Sequence, residues 1–215
     1  MRFEEARDRL LRLPDALPQA PAALAATVIG RGEERPSWVR DGTLPTRNAA
    51  ALVLIYPDRL GEAHVVLTER PTGALRHSGQ ISFPGGAMDP DDDFPVGTAL
   101  REAAEEVALD AAEAGVLVLG LLEAVDVRVS GFLLVPVVAV AEREPQLSPH
   151  PREVAALLRV PLRCFLPNAP IEQVTAERDG WQLRYGAYAV GEHRVWGATA
   201  MVLGQLGAVL GSSAG

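Results

Sequence analysis

Apolar residues form several runs whose lengths are typical of β-strands. Residues 48–56 (NAAALVLIY) are almost continuously apolar, as expected of a strand covered on both faces. Residues 63–70 follow after a turn rich in proline, aspartate and glycine, so the two runs predict a β-hairpin. The other strands that the pattern predicts are residues 80–83, 116–122, 132–141, a short piece near Val160, 172–178 and 181–190.

Three segments have the periodicity of helices. Residues 3–13 place leucines among charged residues, which predicts a short amphipathic helix. Residues 98–108 carry an apolar stripe at helical spacing, and residues 199–210 predict an apolar helix. Because strands and helices alternate irregularly, we expect an α/β (α+β) fold with a mixed β-sheet and helices on both faces. We expect one domain over residues 1–215, in which residues 1–47 are an N-terminal extension.

Composition narrows the class of protein. The chain has 20 basic and 28 acidic residues, a formal net charge of −8, which argues against a general nucleic-acid binder. The single cysteine, Cys164, excludes an internal disulfide, and His64, His150 and His193 show no metal-ligand spacing. The N-terminal segment is charged, unlike a secretory signal, and the apolar runs fall far short of the ~20 residues that span a bilayer. We therefore expect a soluble cytoplasmic protein that binds neither nucleic acid nor membrane.

Residues 83–109 (FPGGAMDPDDDFPVGTALREAAEEVAL) hold a dense run of acidic residues. From Gly85 to Leu109 there are seven acidic residues and one basic residue. Asp92 or Asp93 is the expected N-cap of the helix that follows. Carboxylates this close together repel one another unless a positive charge lies among them. The stretch therefore indicates a bound cation.

Glu102, Glu105 and Glu106 are the residues best placed to bind that cation. On a helix they fall at i, i+3 and i+4, so they project from one face. A solvated acidic face would also explain the three glutamates taken alone. However, Gly85 and Gly86 let the backbone turn tightly and approach the same ion. Hard cations such as Mg²⁺ and Mn²⁺ prefer carboxylate and carbonyl oxygens, so we expect one of these at the site.

The stretch from Gly86 to Leu109 resembles the Nudix box, the signature of a hydrolase family. Five residues separate Gly86 from Asp92, and eight separate Asp92 from Arg101, where the segment REAAEEVAL begins. The Arg-Glu-x-x-Glu-Glu core of the box is intact. The departures are Asp92 in place of glutamate, a loop longer by one residue, and Ala108 in place of glycine. The first two leave the role of Asp92 open, and the third predicts a helix that ends without a left-handed glycine.

This resemblance implies a Nudix-type α/β/α sandwich with a loop-helix-loop catalytic motif. The implied activity is a Mg²⁺- or Mn²⁺-dependent hydrolysis of nucleoside diphosphates linked to another moiety. Glu102 and Glu106 are implied to be metal ligands, and Glu105 a ligand or the base that orients the attacking water. The carbonyl of Gly85 is implied as a further ligand. Arg101 is implied as a structural and electrostatic support for the glutamates.

A second motif, LTERPTGALRHSGQISFPGG at residues 67–86, is similar to the one that precedes the box in coenzyme A pyrophosphatases. The segments GFLLVPVV from Gly131 and VWGATA from Val195 resemble further motifs of that subfamily. The resemblance implies cleavage of coenzyme A or its acyl derivatives to 3′,5′-ADP and 4′-phosphopantetheine or its acyl form. The matching residues are Leu67, Thr68, Arg70, Gly79, Gln80, Phe83, Pro84, Gly85 and Gly86.

Coenzyme A carries a 3′-phosphate beside its pyrophosphate, so basic and polar residues next to the box are expected to bind it. The expected substrate-binding residues are Arg70, Arg76, His77, Gly79 and Gln80. A solvated surface position is an equally good interpretation of each arginine. A structural hydrogen bond is the alternative for His77.

Other interpretations stay open. Glu153 would either reach the metal from a loop or be an ordinary exposed residue, and Trp181 and Trp196 would either stack on adenine or lie in the core. The substrate could instead be ADP-ribose, NADH or a dinucleoside polyphosphate. A sensor that binds nucleotide without cleaving it is an alternative of another class, and the intact glutamates argue against it. The expected partner is a small-molecule substrate, and a homodimer is left open.

Overall fold

The computed structural model describes residues 1–29, 47–71, 79–127, 130–178 and 180–212. Residues 30–46, part of the N-terminal extension expected over residues 1–47, lie outside these ranges. The elements in chain order are α1 (Phe3–Leu10), β1 (Thr27–Ile29), β2 (Arg47–Pro57), β3 (Ala63–Glu69), β4 (Ile81–Ser82), β5 (Gly85–Ala87), α2 (Val96–Val107), β6 (Leu117–Leu121), β7 (Val125–Val127), β8 (Phe132–Val140), β9 (Ala156–Pro161), β10 (Glu172–Arg178), β11 (Trp181–Val190), β12 (His193–Trp196) and α3 (Gly197–Gly211). The longer elements agree with the sequence pattern to within a few residues. The short strands β1, β5, β7 and β12 were not predicted, because three or four residues show no recognisable hydrophobic period.

Eight strands form a mixed sheet, as predicted. Its order is β4-β3-β2-β8-β6, and β5, β7 and β9 join it at β2, β8 and β3. β2 pairs in parallel with β8, from Arg47 opposite Phe132 to Ile55 opposite Val140, and it pairs antiparallel with β3. All eight residues from Ala49 to Tyr56 are buried. This confirms β2 as a strand covered on both faces.

The two faces of this sheet pack against different helices. Alternate residues of β2 point to opposite sides, so Val53 and Ile55 face α1 and α3 while Leu52 and Leu54 face α2. The apolar residues of α1 and α3 lie in the first cluster, and Ala99, Ala103 and Val107 of α2 lie in the second. The sandwich of a sheet between helices is therefore confirmed. Within the described part of the chain, no helix combines the length and apolar composition needed to cross a bilayer.

A second, four-stranded sheet is built from the C-terminal hairpin. β11 pairs antiparallel with β10, β1 and β12. Gly180, between the predicted strands 172–178 and 181–190, has φ of +76°, a conformation that favours glycine. Tyr188 and Val195 of this sheet are buried in the same apolar cluster as Leu203 and Leu206 of α3. The second sheet is therefore packed on the side of the large sheet that lies away from α2.

The acidic stretch lies at one end of the large sheet. β5 pairs with the beginning of β2, with Ala87 opposite Ala49 and Gly85 opposite Ala51. A Cβ atom on Gly85 would overlap the backbone of β2, so this close approach requires glycine. α2 packs against both β5 and β2. The helix that carries the glutamates is thereby fixed beside the Gly-Gly turn.

The N-terminal end of α2 differs from the sequence expectation, and its C-terminal end agrees with it in lacking a left-handed glycine. The N-cap is Pro95 and no side chain caps the helix, so the prediction of Asp92 or Asp93 as the cap was wrong. The C-cap is Ala108, which has φ of +53° in the left-handed region where the family pattern has glycine. A residue with a Cβ atom is strained there by about 1 kcal/mol. The helix therefore ends in the left-handed conformation even without glycine.

Candidate active site

Three glutamates of α2 differ sharply in exposure. Glu106 is 8% exposed, and the side chains of Glu102 and Glu105 are 15% and 54% exposed. Although all three glutamates project from one helix face, only Glu102 and Glu106 are shielded from solvent. Two carboxylates are drawn under the Gly-Gly turn, while the third projects toward solvent.

Glu106 is the most buried carboxylate of the group. The backbone N–H of Gly85 donates a hydrogen bond of 3.1 Å to its Oε2. The pKa of Glu106 is raised to about 7, chiefly by burial and also by the charges of Glu102 and Glu153, while the Gly85 N–H and the charge of Arg70 act against the increase. A carboxylate in this position favours either a proton or a cation beside it.

Glu102 lies directly under Gly86. A Cβ atom on Gly86 would overlap the Glu102 carboxylate, so the second glycine of the pair makes room for this side chain. Burial raises the pKa of Glu102, and its ion pair of 3.0 Å with Arg101 acts against the increase. The Gly-Gly turn therefore contacts two of the three glutamates, one through each glycine.

Arg101 connects the helix to the loop before it. Its Nε and Nη2 donate to the two oxygens of Asp92 at 2.9 and 3.0 Å, a bidentate pair. Its Nη2 also donates to the carbonyl of Ala87 at 3.0 Å, and its Nη1 lies 3.1 Å from Glu105. Arg101 thus joins β5, the aspartate loop and two glutamates, as a structural and electrostatic support would.

The structure gives Asp92 a role that the sequence left open. Asp92 accepts hydrogen bonds from Arg101, from the backbone N–H of Asp89 at 2.9 Å and from the Thr98 hydroxyl at 2.8 Å. The bond from Arg101, with these two donors, holds the pKa of Asp92 well below its ordinary value. Aspartate is one carbon shorter than the glutamate of the family pattern. Asp92 nevertheless forms a bidentate pair with Arg101.

A loop after β8 closes the other side of the site. The backbone N–H groups of Ser148 and His150 donate to the carbonyls of Val107 and Glu106 at 2.9 and 2.8 Å. Glu153 of this loop is close enough for its charge to raise the pKa of both Glu102 and Glu106, and it lies 3.5 Å from His150 Nδ1. Glu153 is itself exposed, so both interpretations of this residue stay predictions.

Of the expected substrate-binding residues, Arg70, Gly79 and Gln80 are described, and they lie just after the end of β3. The N–H of Arg70 donates to the carbonyl of Gln80 at 3.0 Å, and the N–H of Gly79 donates to the carbonyl of Arg70 at 3.1 Å. Arg70 is exposed, and its positive charge acts to lower the pKa of Glu106. Arg76 and His77 lie outside the described residues.

The two tryptophans named as alternatives are half-buried. The ring of Trp196 lies 4.9 Å from the ring of Tyr185, with the planes inclined by 34°. β12, which ends at Trp196, packs against β4. This contact explains part of the burial of Trp196, and the side chain remains partly accessible.

Another group of metal-ligating residues lies at the opposite end of β2. Among the described residues, the group of three whose ligand atoms all lie within 4.8 Å of one another is Asp58, Glu62 and His64. The sequence spacing of His64 did not indicate this group. Glu62, however, forms an ion pair with Arg163, and Asp58 Oδ1 accepts the N–H groups of Leu60 and Glu62 at 2.9 and 2.7 Å. These carboxylates already have partners that shape the β2–β3 hairpin.

This chain is similar to known members of one protein family. The family model described as the NUDIX domain matches residues 46–177. The Nudix hydrolase NudL of Photorhabdus laumondii, whose name marks it as uncharacterised, is 37% identical over 163 residues, 76% of this chain and 86% of that protein. The NudL of Escherichia coli O7:K1 is 34% identical over 177 residues, 82% of this chain and 89% of that protein. The crystal structure of the Nudix hydrolase RenU from M. smegmatis covers 56% of this chain and 73% of its own, at 27% identity and a TM-score of 0.47.

Proposed function

Because this chain belongs to the Nudix hydrolase family, we propose that it cleaves the pyrophosphate bond of coenzyme A and its acyl derivatives. The products are 3′,5′-ADP and 4′-phosphopantetheine or its acyl form, and the reaction takes place in the cytoplasm, where these substrates are used. The observation that carries the proposal is the contact between two segments. The coenzyme A-type motif ends in the Gly85–Gly86 turn that packs on the buried glutamates of α2.

The donor set fits a hard divalent cation. Glu102, Glu106 and the carbonyl of Gly85 would hold Mg²⁺ or Mn²⁺, with Glu105 as a further ligand or the base, and all of these donors are oxygen. The fit rests on Glu106, a nearly buried carboxylate whose pKa is raised to about 7 and which a cation would neutralise. When bound, the cation supplies positive charge to the pyrophosphate oxygens and makes water more acidic.

The remaining residues position these donors. Arg101 fixes the turn of α2 that carries Glu102 and Glu105, and Asp92 fixes Arg101. Such partners keep ligands in the geometry that the reaction needs. Arg70, exposed at the end of β3, offers a guanidinium group to a phosphate oxygen of the substrate, with Gln80 and Gly79 holding the strand end in place.

In the reaction, the oxygen of water forms a bond to one phosphorus and the bond from that phosphorus to the bridging oxygen breaks. The base accepts a proton from the water, and the bridging oxygen leaves with the other phosphate. Glu105 is the first candidate for the base because its side chain is 54% exposed and reaches solvent. Glu153 is the second, because its loop is bonded to the backbone of α2 at Glu106.

The test is a panel of substrates assayed with Mg²⁺ and with Mn²⁺, with the products identified by mass. The panel contains coenzyme A, an acyl-coenzyme A, 3′-dephospho-coenzyme A, ADP-ribose and NADH. We expect turnover of coenzyme A and its acyl form to exceed that of ADP-ribose and NADH by at least tenfold. Equal or greater turnover of ADP-ribose or NADH would contradict the proposed substrate. Binding without any product would contradict the assignment of the glutamates.

A further inference from the structure

Arg47 is a cation that the proposed chemistry has not used. It begins β2, at the same end of the sheet as β5, and it stands opposite Phe132 in the parallel pairing with β8. The guanidinium carbon lies 4.2 Å from the centre of the Phe132 ring. At this distance the guanidinium makes a cation–π contact with the ring. Because Arg47 is also exposed, its N–H groups are accessible to another partner.

The charge of Arg47 is not neutralised by its described neighbours. Arg47 is exposed, and none of the ion pairs among the described residues includes it. Adjacent strand positions on its face of the sheet hold apolar side chains. Asp126 of β7 stands opposite Leu133, which places it on the other face. The apolar positions around Arg47 are Ala49, Ala87, Leu134 and Val127.

Arg47 lies at a fixed separation from the catalytic glutamates. Gly85 stands opposite Ala51, four residues along β2 from Arg47, which corresponds to about 13 Å of strand. The glutamates lie on the α2 side of the sheet, and Arg47 lies on the other side. A group of the substrate that meets Arg47 is therefore separate from the pyrophosphate, which the cation at α2 neutralises.

We infer that Arg47, held on the ring of Phe132, binds the phosphate monoester on the ribose of the substrate and so selects 3′-phosphorylated substrates. The inference rests on the proposed function and adds a specificity residue to it. A phosphate monoester carries between one and two negative charges near neutral pH. A preoriented guanidinium is well suited to it, because less conformational freedom is lost when the hydrogen bonds form.

Binding of products separates this role from turnover. Calorimetry with 3′,5′-ADP and with 5′-AMP is carried out on the wild type and on Arg47→Gln. We expect Arg47→Gln to weaken the binding of 3′,5′-ADP by about tenfold or more and to change the affinity for 5′-AMP by less than about twofold. Arg59→Gln is the matched control, since Arg59 is an exposed arginine at the far end of the β2–β3 hairpin. This control should change neither affinity.

Two further variants examine the stacking. Phe132→Leu keeps an apolar side chain and removes the ring. It should weaken the binding of 3′,5′-ADP by a smaller factor, about two- to fivefold. Arg47→Lys keeps the charge and loses the planar guanidinium group. Its affinity for 3′,5′-ADP should lie between those of the wild type and Arg47→Gln. Circular dichroism checks that each variant is folded.

Kinetics distinguish failure of this inference from failure of the proposed function. In Arg47→Gln we expect the KM for coenzyme A to rise about tenfold while the KM for 3′-dephospho-coenzyme A stays constant. If Arg47→Gln loses the same affinity for 3′,5′-ADP and for 5′-AMP, or loses affinity for neither, the role of Arg47 is overturned. A wild-type enzyme that leaves coenzyme A uncleaved contradicts the proposed function instead.

Discussion

Two groups of acidic residues lie at opposite ends of β2, and they differ in how their charge is balanced. At the β2–β3 hairpin, the ligand atoms of Asp58, Glu62 and His64 lie within 4.8 Å of one another. At α2, Glu102 and Glu106 are nearly buried. Among the described residues, no third side chain forms with them a group whose ligand atoms all lie within 4.8 Å of one another. Proximity alone would favour the hairpin as the metal site.

The pKa values of the two groups lead to the opposite conclusion. The pKa of Asp58 is lowered by the backbone N–H of Glu62, and the pKa of Glu62 is lowered by its bond from Arg163. The hairpin carboxylates are therefore satisfied as anions. Burial instead raises the pKa of Glu102 and Glu106, so these carboxylates still need a positive charge. A deficit of positive charge, more than the closeness of ligand atoms, identifies the site that a cation would stabilise.

The largest expected effect is on turnover. Glu106→Gln removes one negative oxygen beneath the Gly85 turn and should lower kcat on coenzyme A with Mg²⁺ by about a thousandfold or more. Glu62→Gln is the matched change in the hairpin group. It should alter kcat by less than about twofold, because Glu62 lies far from the Gly85–Gly86 turn. Steady-state assays of both variants measure the contrast. A comparable loss in Glu62→Gln would break the distinction between the groups.

A smaller loss is expected when the support of the glutamates is removed. Asp92→Asn keeps the shape of the side chain but loses the charge that orients Arg101, so kcat should fall by roughly ten- to a hundredfold. Asp91→Asn changes an exposed neighbour in the same loop and serves as the control. If both variants retain full activity, Asp92 does not act through Arg101.

The two groups should also give opposite pH dependences of stability in the metal-free protein. The pKa of Glu106 is about 7 in the fold, above its ordinary value of 4.5. The unfolded chain therefore releases this proton first, and stability falls as pH rises from about 4.5 through 7, by up to about 3 kcal/mol. Asp58 and Glu62 have lowered pKa values in the fold, so their contribution is present above the unfolded pKa and is lost as pH falls through the folded pKa.

Thermal unfolding between pH 5 and 8 measures this effect. In Glu106→Gln, the decrease in Tm toward neutral pH should largely disappear in the metal-free protein. Mg²⁺ should raise the Tm of the wild type at pH 8 and leave that of Glu106→Gln unchanged. A wild-type Tm that increases steadily from pH 5 to pH 8 without metal would contradict the buried, proton-binding state of Glu106.

The smallest effect concerns the end of α2. Ala108 has φ of +53°, so Ala108→Gly should relieve strain and stabilise the protein by about 0.5–1 kcal/mol. Chemical denaturation measures this change, and kcat should stay within about twofold, because Ala108 is exposed and lies outside the cluster of glutamates. Destabilisation by glycine would show that the left-handed conformation is not strained.

The sequence predicted the parts of the fold that depend on long periodic patterns. β2, β8, α2 and α3 carry enough apolar residues at a regular spacing to be recognised, and their order predicts a mixed sheet between helices. Strands of three residues, such as β5 and β7, depend on pairing with β2 and β8 and carry no pattern of their own. The separate folding of residues 1–215 as one domain stays a prediction.

The candidate site was predicted less completely, because its contacts join distant segments. Local spacing could indicate Glu102 and Glu106 but not that Asp92 binds Arg101 instead of capping the helix. The bidentate bond to a guanidinium satisfies Asp92 better than free backbone N–H groups would. The stacking of Arg47 on Phe132 joins two strands that are 85 residues apart, so no local signal in the sequence indicates it.

Calorimetric titration of Mn²⁺ into metal-free protein shows most directly which of the two acidic groups binds the cation. We expect that the wild type binds Mn²⁺ with release of protons near pH 6–7, that Glu62→Gln binds equally well, and that Glu106→Gln loses binding by at least about a hundredfold. Binding that survives in Glu106→Gln and disappears in Glu62→Gln would place the cation at the hairpin and contradict a cation site at α2.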